Sequence, residues 1–365
     1  MSIFNYSLAY GHETMTQNRK KFRQAVFDRD SHECLVPWCP READDAHHLI
    51  GRELWETGGY VPNNGASVCE QHHKYAERNE IPPQAFYRWA GIEDPALPKQ
   101  LETTEVNKWG EPFETPPWEE YRDRIKYPST RHLPFSFERD DDDTAMGTVQ
   151  AFTDIPLVIT VKMDGSNACI VSDAEEPIRG RNGSSPGRMK GVDKFKQLYY
   201  ENNCLEKIPE HLQVFGEWLW AKHSIHYGCD CNSSCDDVGP ELDSYFQVFG
   251  VYDQRHNLWL PWPEVQKIAE YLGFNTTPVI ELQNDDSATF TNEQNCWDKL
   301  YKTALQTVDK GHEGIVVRSK FPFHYSQIEN KLGKYVRDGH VTEGEKHWSK
   351  RDVKVNRGPE DFNWN

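Results

Sequence analysis

The chain has 365 residues, of which 41 are Lys or Arg and 58 are Asp or Glu, so its formal net charge is −17. That length predicts two domains, and the acidic balance excludes a general nucleic-acid coat, so any site for a polyanion must be a local basic surface. No apolar stretch is long enough to span a membrane, and we expect a cytoplasmic protein.

Metal-ligand residue types are concentrated in the first ninety residues, after a short basic helix predicted over residues 17–29. Nine cysteines are an odd number, and three of them lie near histidines, which suits a reducing compartment better than a disulfide framework. On a polar helical stretch, Cys69 and His72 at positions i and i+3 share one face, whereas His73 points elsewhere, so the segment can serve two ions. A closed tetrahedral site for structural zinc is predicted from four ligands, Cys34, Cys39, Cys69 and His72.

This region resembles the HNH endonuclease, or ββα-metal, module. The resemblance implies that His48 is the general base that activates water, and that His47 and His73 hold a catalytic divalent ion. It also implies that Asn64 orients the intervening loop. A neutral imidazole can deprotonate water while a metal offsets the charge that builds on a phosphate. The alternative is a zinc-stapled module that folds or binds nucleic acid without cleaving it.

Composition changes sharply after this module. Residues 92–117 are rich in Pro, Glu and Thr and show little periodicity, which predicts an interdomain linker. An acidic run over residues 138–143 predicts an exposed loop. The predicted organisation is a zinc module over residues 1–95, a linker over 96–120, a second domain over 121–345 and a basic C-terminal tail over 346–365.

The second domain is organised around Lys162. Residues 158–161 are apolar or β-branched at every position, which predicts a buried strand with Lys162 at its end, before a turn at Asp164 and Gly165. Lysine is a nucleophile only when deprotonated, so we expect desolvation or nearby cations to lower its pKa and allow attack on the α-phosphate of a nucleotide. Taken alone, Lys-x-Asp-Gly is a short match that an ordinary β-turn also explains.

Further motifs follow Lys162 in a fixed order. They are Arg179 to Gly183, Val214 to Trp218, Tyr245 to Asp253, His312 to Arg318 and Lys331 to Val336. The set resembles the covalent nucleotidyltransferase superfamily of ATP-dependent RNA ligases, DNA ligases and capping enzymes, and the run from Phe215 to Ile225 is most similar to RNA ligases. This resemblance implies an α+β protein: an ATP-grasp-like nucleotidyltransferase domain of antiparallel sheets with flanking helices, preceded by the small HNH-like zinc domain.

The ligase resemblance also implies a role for each matching residue. Lys162 becomes adenylylated to a lysyl-N-AMP intermediate, and Glu313 binds Mg²⁺ or Mn²⁺. Arg181 contacts the nucleotide and the 5′-phosphate end, and Glu217 holds the ribose hydroxyl. The full nucleotide-binding set is Lys162, Asp164, Gly165, Arg181, Glu217, Phe246, Lys331 and Lys334.

Two assignments within that set rest on the physical character of the side chains. Phe246 takes the place of the aromatic residue that stacks on adenine, whereas Phe249 is expected in the core. Lys331 and Lys334 take the place of a basic pair on the phosphates, although their spacing departs from the tighter Lys-x-Lys of some relatives.

A cysteine-rich stretch from His226 to Cys235 interrupts the ligase motifs. A second zinc could be held by Cys229, Cys231 and Cys235 with the histidine, but an inserted flexible loop is preferred because no second ligand cluster follows. Amphipathic helices are predicted over residues 262–273 and 292–309.

The C-terminal part of the chain bears on the choice of substrate. Only 29 residues follow Val336, fewer than the OB-fold expected of a DNA ligase or capping enzyme, which favours an RNA ligase. Residues 318–357 hold ten Lys or Arg against five Asp or Glu and could track a phosphate backbone.

These observations predict an ATP-dependent polynucleotide ligase that joins 5′-phosphate and 3′-hydroxyl ends, with ATP, Mg²⁺ and Zn²⁺ as cofactors. Its partners are nucleic-acid ends, with RNA preferred and DNA or hybrid ends, including a DNA nick, as alternatives. Two other hypotheses stay open. One is a metal-dependent nuclease whose ligase-like half processes or binds the product, and the other is a non-catalytic module that binds nucleic-acid ends.

Overall fold

The computed structural model describes residues 18–114, 125–136, 144–183, 185–187, 189–229, 237–282, 289–338 and 353–359. The chain divides into two compact units, the first formed by Met1–Pro117, His256–Leu258 and Phe321–Ser326 and the second by the remainder. The predicted acidic loop over 138–143, together with Cys231 and Cys235, lies outside the described residues. Within those residues, no helix has the length and apolar character that a membrane crossing requires.

The helices are α1 (Arg19–Arg29), α2 (Glu70–Glu77), α3 (Pro83–Ala90), α4 (Val192–Glu201), α5 (Cys204–Lys207), α6 (Trp262–Leu272), α7 (Glu293–Val308) and α8 (Ile328–Lys331). The strands are β1 (Asp45–His48), β2 (Gly65–Val68), β3 (Arg131–His132), β4 (Leu157–Lys162), β5 (Ser166–Ile170), β6 (Ile178–Gly180), β7 (Leu212–Trp218), β8 (His226–Tyr227), β9 (Val238–Gly239), β10 (Phe246–Asp253), β11 (Leu258–Trp259), β12 (Asn275–Thr276), β13 (Val279–Leu282), β14 (Gly314–Ser319), β15 (Phe323–His324) and β16 (Leu332–Val336). The helices predicted over 17–29, 262–273 and 292–309 are confirmed as α1, α6 and α7, each to within two residues at either end.

The first unit contains a small ββα arrangement. Strands β1 and β2 pair antiparallel and are followed directly by α2. Helix α1 begins after Asn18, whose side chain accepts a hydrogen bond from the Lys21 amide and so satisfies one of the free N–H groups of the first turn. Its buried residues Phe22 and Val26 lie so close to Gly65 of β2 that any side chain at that position would collide with both.

The described part of the predicted linker belongs to this first unit. The backbone amide of Gly51 donates to the Lys108 carbonyl at 2.8 Å, and the buried side chain of Gln84 donates to Thr104 and Val106 carbonyls. Lys108 itself is buried. Proline-rich composition indicated an extended connector, but these long-range bonds attach the segment to the unit's interior.

Two sheets form the frame of the second unit. One has the order β13, β4, β14, β16 and β3, and in the other β10, β7, β5 and β6 lie side by side with β12 paired to β10. The prediction of antiparallel sheets is corrected to mixed sheets, because β3 pairs parallel with β16 and β12 pairs parallel with β10. A parallel partner needs a crossover connection, and α6 supplies one between β10 and β12.

The predicted strand before Lys162 is confirmed as β4. Its residues from Leu157 to Val161 are buried, and Lys162 is its last residue. The core of this unit packs α4 and α6 on the β10 sheet, with the rings of Phe195 and Trp218 stacked at 4.4 Å. Lys162 therefore stands at the end of a strand fixed on both sides by β13 and β14.

Gly314 provides a test of this frame. It lies opposite Lys162 in the pairing of β4 with β14, and a Cβ atom there would collide with the carbonyl oxygen of Tyr335. We expect Gly314→Ala to destabilise the chain by about 1–3 kcal/mol, as overpacking against a backbone atom does. Thermal denaturation would measure it against Gly147→Ala, an exposed position with no atom within 4 Å of the added Cβ. Equal melting temperatures for the two variants would contradict this packing.

Candidate functional site

A cavity of about 550 Å³ in the second unit brings together residues from both of its sheets. Strands β4, β14 and β16 contribute one part of its lining, and β5, β7 and β10 contribute another. Five residues of the predicted nucleotide-binding set line this cavity, namely Lys162, Gly165, Arg181, Glu217 and Lys334. They come from positions up to 172 residues apart in the sequence, between Lys162 and Lys334.

The Lys162 side chain is held by a carboxylate. Because Lys162 pairs with Gly314, the preceding residue Glu313 lies beside it, with Nζ and Oε1 2.5 Å apart and Glu313 buried. Burial by itself lowers the pKa of Lys162, but attraction to Glu313 and then to Glu217 outweighs it, so the net pKa is raised. The sequence predicted that the pKa of Lys162 is lowered. Without a bound nucleotide or ion this prediction is wrong, because Glu313 and Glu217, which come from distant motifs, stabilise the ammonium form.

Glu217 faces the same cavity in a different protonation state. Burial raises the pKa of Glu217 to about 8, against an opposing effect of Lys162, and Glu313 raises it further. At neutral pH this group is therefore largely a neutral carboxylic acid, which can donate as well as accept a hydrogen bond.

Asp164 supports the turn after Lys162 from outside the cavity lining. Its buried carboxylate accepts hydrogen bonds from the amides of Ser224 and Ile225, at 2.8 and 2.7 Å. Its own amide donates to the hydroxyl of Tyr227 at 3.0 Å. These bonds tie the Lys162 turn to the loop between β7 and β8.

Phe246 lies in the core and is absent from the cavity lining. It is fully buried, and its ring packs 4.6 Å from Phe195 and 5.1 Å from Phe274. Phe249, which was expected in the core, lines the cavity and stands at an irregularity where β10 loses register with β7. Phe246 therefore does not lie where the stacking prediction requires, whereas Phe249 lines the cavity, since residues three apart on a strand face opposite sides. Lys331 ends α8 and is likewise not part of the lining.

Arg181 is anchored by a segment whose cavity role the sequence did not reveal. Its guanidinium donates to the Tyr127 carbonyl at 3.3 Å and to the Ser129 hydroxyl at 2.9 Å. Tyr127 also lines the cavity, and burial raises its pKa to about 12. Residues 126–133 precede Lys162 and so stand outside the ordered motifs that pointed to the other cavity residues.

In the first unit, the four predicted zinc ligands converge. The ligand atoms of Cys34, Cys39, Cys69 and His72 lie within 4.8 Å of one another, and two of the thiols are each 3.3 Å from the same His72 nitrogen. Zn–S bonds of about 2.3 Å in a tetrahedron place sulfur atoms about 3.8 Å apart, and the Cys39 and Cys69 sulfurs are 3.9 Å apart. The donor set and spacing thus fit a closed zinc site.

A second ligand group lies beside the first, as the helical geometry predicted. The ligand atoms of His47, His73 and Glu77 lie within 4.8 Å of one another. Oε1 of Glu77 is 3.1 Å from His47 Nδ1, 3.3 Å from His73 Nε2 and 2.6 Å from Lys108 Nζ. Glu77 was missed, although it stands four residues after His73 on α2 and so shares its face.

His48 and Asn64 flank this second group. The His48 ring stacks on Phe22 at 4.6 Å and meets Tyr60 edge-on at 5.4 Å, and burial lowers its pKa to about 4. Burial likewise lowers the pKa of His47 to about 4. Both rings are therefore neutral at neutral pH. The buried amide of Asn64 bonds Ile50 at both its amide and its carbonyl, which fixes the loop between β1 and β2.

The chain was compared with known protein families and structures. Residues 155–336 match the RNA ligase family model. This segment is just under half of the chain and contains the described cavity residues from Thr160 onward. A comparison with curated protein sequences gave no match.

Solved structures of two RNA ligases are similar to parts of this chain. One is an archaeal ATP-dependent RNA ligase (form 1), with 15% identity, a TM-score of 0.37 and coverage of 58% of this chain. The other is the Naegleria gruberi RNA ligase with PPi, with 14% identity, a TM-score of 0.36 and coverage of 77% of this chain and 73% of that one. This chain spans about half of the archaeal protein, 48% of its length. At these TM-scores the similarities carry no functional conclusion.

The protonation of Glu217 predicts a pH dependence of stability. The folded chain holds its proton up to about pH 8, whereas an unfolded chain releases it near pH 4.5. The contribution of Glu217 to the free energy of unfolding is therefore fully present below pH 4.5 and is lost as the pH rises through about 8. We expect Glu217→Gln to melt several degrees above the wild type at pH 9 and at about the same temperature at pH 5. Melting temperatures measured from pH 5 to pH 9 would check this expectation, with Glu206→Gln, a substitution of an exposed residue, as the control. If the melting temperatures of wild type and Glu217→Gln changed in parallel with pH, the prediction would be contradicted.

Proposed function

We propose that this chain is an ATP-dependent RNA ligase in which Lys162 becomes adenylylated. The observation that carries the proposal is the Lys162 amine, 2.5 Å from Glu313 in a cavity that Arg181 and Lys334 also line. All four residues lie within the segment that matches the RNA ligase family. Cations around a central amine beside a carboxylate suit transfer of a nucleotidyl group, because negative charge builds on the phosphate during the reaction.

The reaction takes place in three steps. The neutral Lys162 amine attacks the α-phosphorus of ATP, a P–N bond forms, and the bond to the oxygen that bridges to the β-phosphate breaks to release pyrophosphate, while the nitrogen gives up one proton to solvent. An oxygen of a 5′-phosphate end then attacks the same phosphorus, and the P–N bond breaks as the amine takes back a proton. Finally a 3′-hydroxyl attacks the activated 5′-phosphate, loses its proton and displaces AMP.

The cavity supports this assignment residue by residue. Phe249 on β10 and Val316 on β14 line it from different sheets and are suited to hold the adenine ring between them. Base stacking on an aromatic ring contributes roughly 1–3 kcal/mol. Arg181 and Lys334 offer cations to the phosphates, and Glu217 offers a hydrogen bond to the ribose.

Glu313 fits a ligand of Mg²⁺ or Mn²⁺, since carboxylate oxygens are the ligands these ions prefer. Such an ion would neutralise the charge that builds on the α-phosphate. Once Glu313 is shared with a cation, its attraction for the Lys162 ammonium weakens, and burial then lowers the pKa of Lys162. This arrangement would release the neutral amine only when the site is loaded.

Adenylylation is tested with ATP labelled at the α-phosphate. We expect wild-type protein with Mg²⁺ to retain one AMP on Lys162, found by peptide mass spectrometry, and Lys162→Ala to retain none because the substitution removes the attacking amine. Lys196→Ala, an exposed lysine on α4, serves as the matched control and should label normally. Wild-type protein that acquires no label would end the proposal.

Whether the substrate is RNA or DNA is tested by measuring how well the same preparation seals matched RNA, DNA and mixed nicks. Sealing that requires RNA on the 3′-hydroxyl side or 5′-phosphate side supports an RNA ligase. Equal or better sealing of an all-DNA nick would instead favour a DNA nick ligase.

A second candidate function belongs to the first unit, where two ligand groups lie side by side. We infer that Cys34, Cys39, Cys69 and His72 hold structural Zn²⁺, and that the group of His47, His73 and Glu77 holds a catalytic divalent ion. Three thiolate ligands require reduced cysteines, which supports a cytoplasmic location. His48 is neutral at neutral pH and so suits a general base.

In this reaction His48 takes a proton from water and the water oxygen attacks a phosphodiester. One P–O ester bond then breaks, and the leaving oxygen takes up a proton. The ion held by His47, His73 and Glu77 would offset the charge that builds on the phosphate.

Nicking of supercoiled plasmid separates this activity from the ligase. We expect His48→Ala to lose nicking by at least about 100-fold, as removal of a general base typically does, while Lys162→Ala nicks as the wild type does. Zinc content measured by elemental analysis should be unchanged in both variants, because neither residue is in the zinc set. Wild-type protein that binds zinc but nicks no substrate would favour the non-cleaving, zinc-stapled module.

A further inference from the structure

The short segment of residues 353–359 lies against the loop that follows β7. We propose that Asn356 in this segment is a positioning residue for Lys162, acting through Tyr227 and Asp164. The proposal rests on the proposed adenylylation of Lys162. Asn356 lies within residues 318–357, the basic stretch that the sequence predicted to contact a phosphate backbone.

The side chain of Asn356 forms hydrogen bonds to two separate parts of the loop that follows β7. It is buried, with 2% of its surface exposed. Its amide nitrogen donates to the Leu219 carbonyl at 2.7 Å, and its amide oxygen accepts from the Tyr227 backbone amide at 3.0 Å. One side chain thus joins both ends of the loop from 219 to 227.

Backbone bonds hold the segment in register with that loop. The Asn356 amide donates to the Trp220 carbonyl at 2.9 Å, and the Arg357 amide donates to the Tyr227 carbonyl at 2.9 Å. The Lys222 amide in turn donates to the Lys354 carbonyl at 2.8 Å. These bonds flank an isolated antiparallel bridge between Ala221 and Val355, so the position of Asn356 is well defined.

Tyr227 carries the connection from Asn356 to the reactive turn. Its ring is fully buried, and burial raises its pKa well above the ordinary value, so the phenol keeps its proton. Its hydroxyl oxygen accepts the hydrogen bond of the Asp164 amide, two residues after Lys162. The Asp164 carboxylate returns to the same loop at Ser224 and Ile225. The turn after Lys162 is therefore fixed from two sides by a loop that Asn356 closes.

Loss of Asn356 would leave a buried carbonyl and a buried amide unpaired, and the loop would relax to rehydrate them. Tyr227 and Asp164 would move with the loop, and the Lys162 amine would lose its alignment with the α-phosphate. Misplacement of a reacting group by about 1 Å can cost on the order of 100-fold in rate. The hydrogen-bond partners described for Asn356 are Leu219, Trp220, Tyr227 and Tyr245, which are not among the lining residues of the cavity, so ATP affinity should change little.

The test compares Asn356→Ala with wild type by two independent measurements. Hydrogen–deuterium exchange should show faster exchange in peptides that contain residues 163–165 as well as in those from 219–228. Single-turnover labelling should show AMP transfer slowed by roughly 10- to 100-fold, with the ATP dissociation constant within about threefold of wild type. Tyr245→Phe is the matched control, because it removes only the hydroxyl that donates to the Asn356 carbonyl at 3.2 Å and spares both side-chain bonds.

A second variant guards against simple unfolding. Tyr227→Phe keeps the buried ring but removes the acceptor for the Asp164 amide, so it should reproduce the faster exchange at residues 163–165 and the slower transfer. Wild-type exchange at that turn and wild-type transfer in folded Tyr227→Phe, or in folded Asn356→Ala, would overturn the inference. If wild-type protein acquires no AMP, the ligase proposal fails, and unchanged exchange at residues 163–165 would separately refute the connection.

Discussion

The chemistry proposed for the second unit depends on one ion pair, between the partly buried Lys162 and the buried Glu313. A lone carboxylate or ammonium in this position would be costly, and the pairing of β4 with β14 brings each beside the other at the end of the cavity. Burial raises the pKa of the nearby Glu217 to about 8, and the Glu313 carboxylate raises it further, so Glu217 keeps its proton at neutral pH. Without a bound nucleotide, the cavity therefore contains the Lys162–Glu313 ion pair and the neutral acid Glu217. Binding of a nucleotide and its cation would change this distribution of charge.

Opposite charges are also paired in the second metal-ligand group of the first unit, which consists of His47, His73 and Glu77. Glu77 faces the imidazoles of His47 and His73 and the Nζ atom of Lys108, which lies 2.6 Å from its carboxylate. The neighbouring sulfur and imidazole group has the spacing of a tetrahedral zinc site, and in small units such binding is coupled to folding. Both ligand groups of the first unit thus arise from its own short elements and the loops beside them.

The position of the reactive turn depends on distant parts of the chain. Asp164 is bonded by a loop more than fifty residues away, and that loop is in turn closed by Asn356 near the C-terminal end. The motif around Lys162 supplies the amine that we propose is adenylylated, while the turn after it is held by hydrogen bonds that no local pattern encodes. Residues 353–359 are therefore bonded to the loop that holds the turn after Lys162, a contact that their basic composition did not predict.

The sequence by itself determined the features that local spacing controls. The apolar run predicted the strand that ends at Lys162, and the i, i+3 spacing on α2 predicted which of its histidines joins the cysteines. Tertiary structure alone decided which face of a strand meets the cavity, so Phe249 and not Phe246 lies there, and it alone brought Glu313 beside Lys162. The physical reason is that periodicity fixes a side chain relative to its own element, whereas cavity lining and pKa depend on strand register and on charges from distant segments.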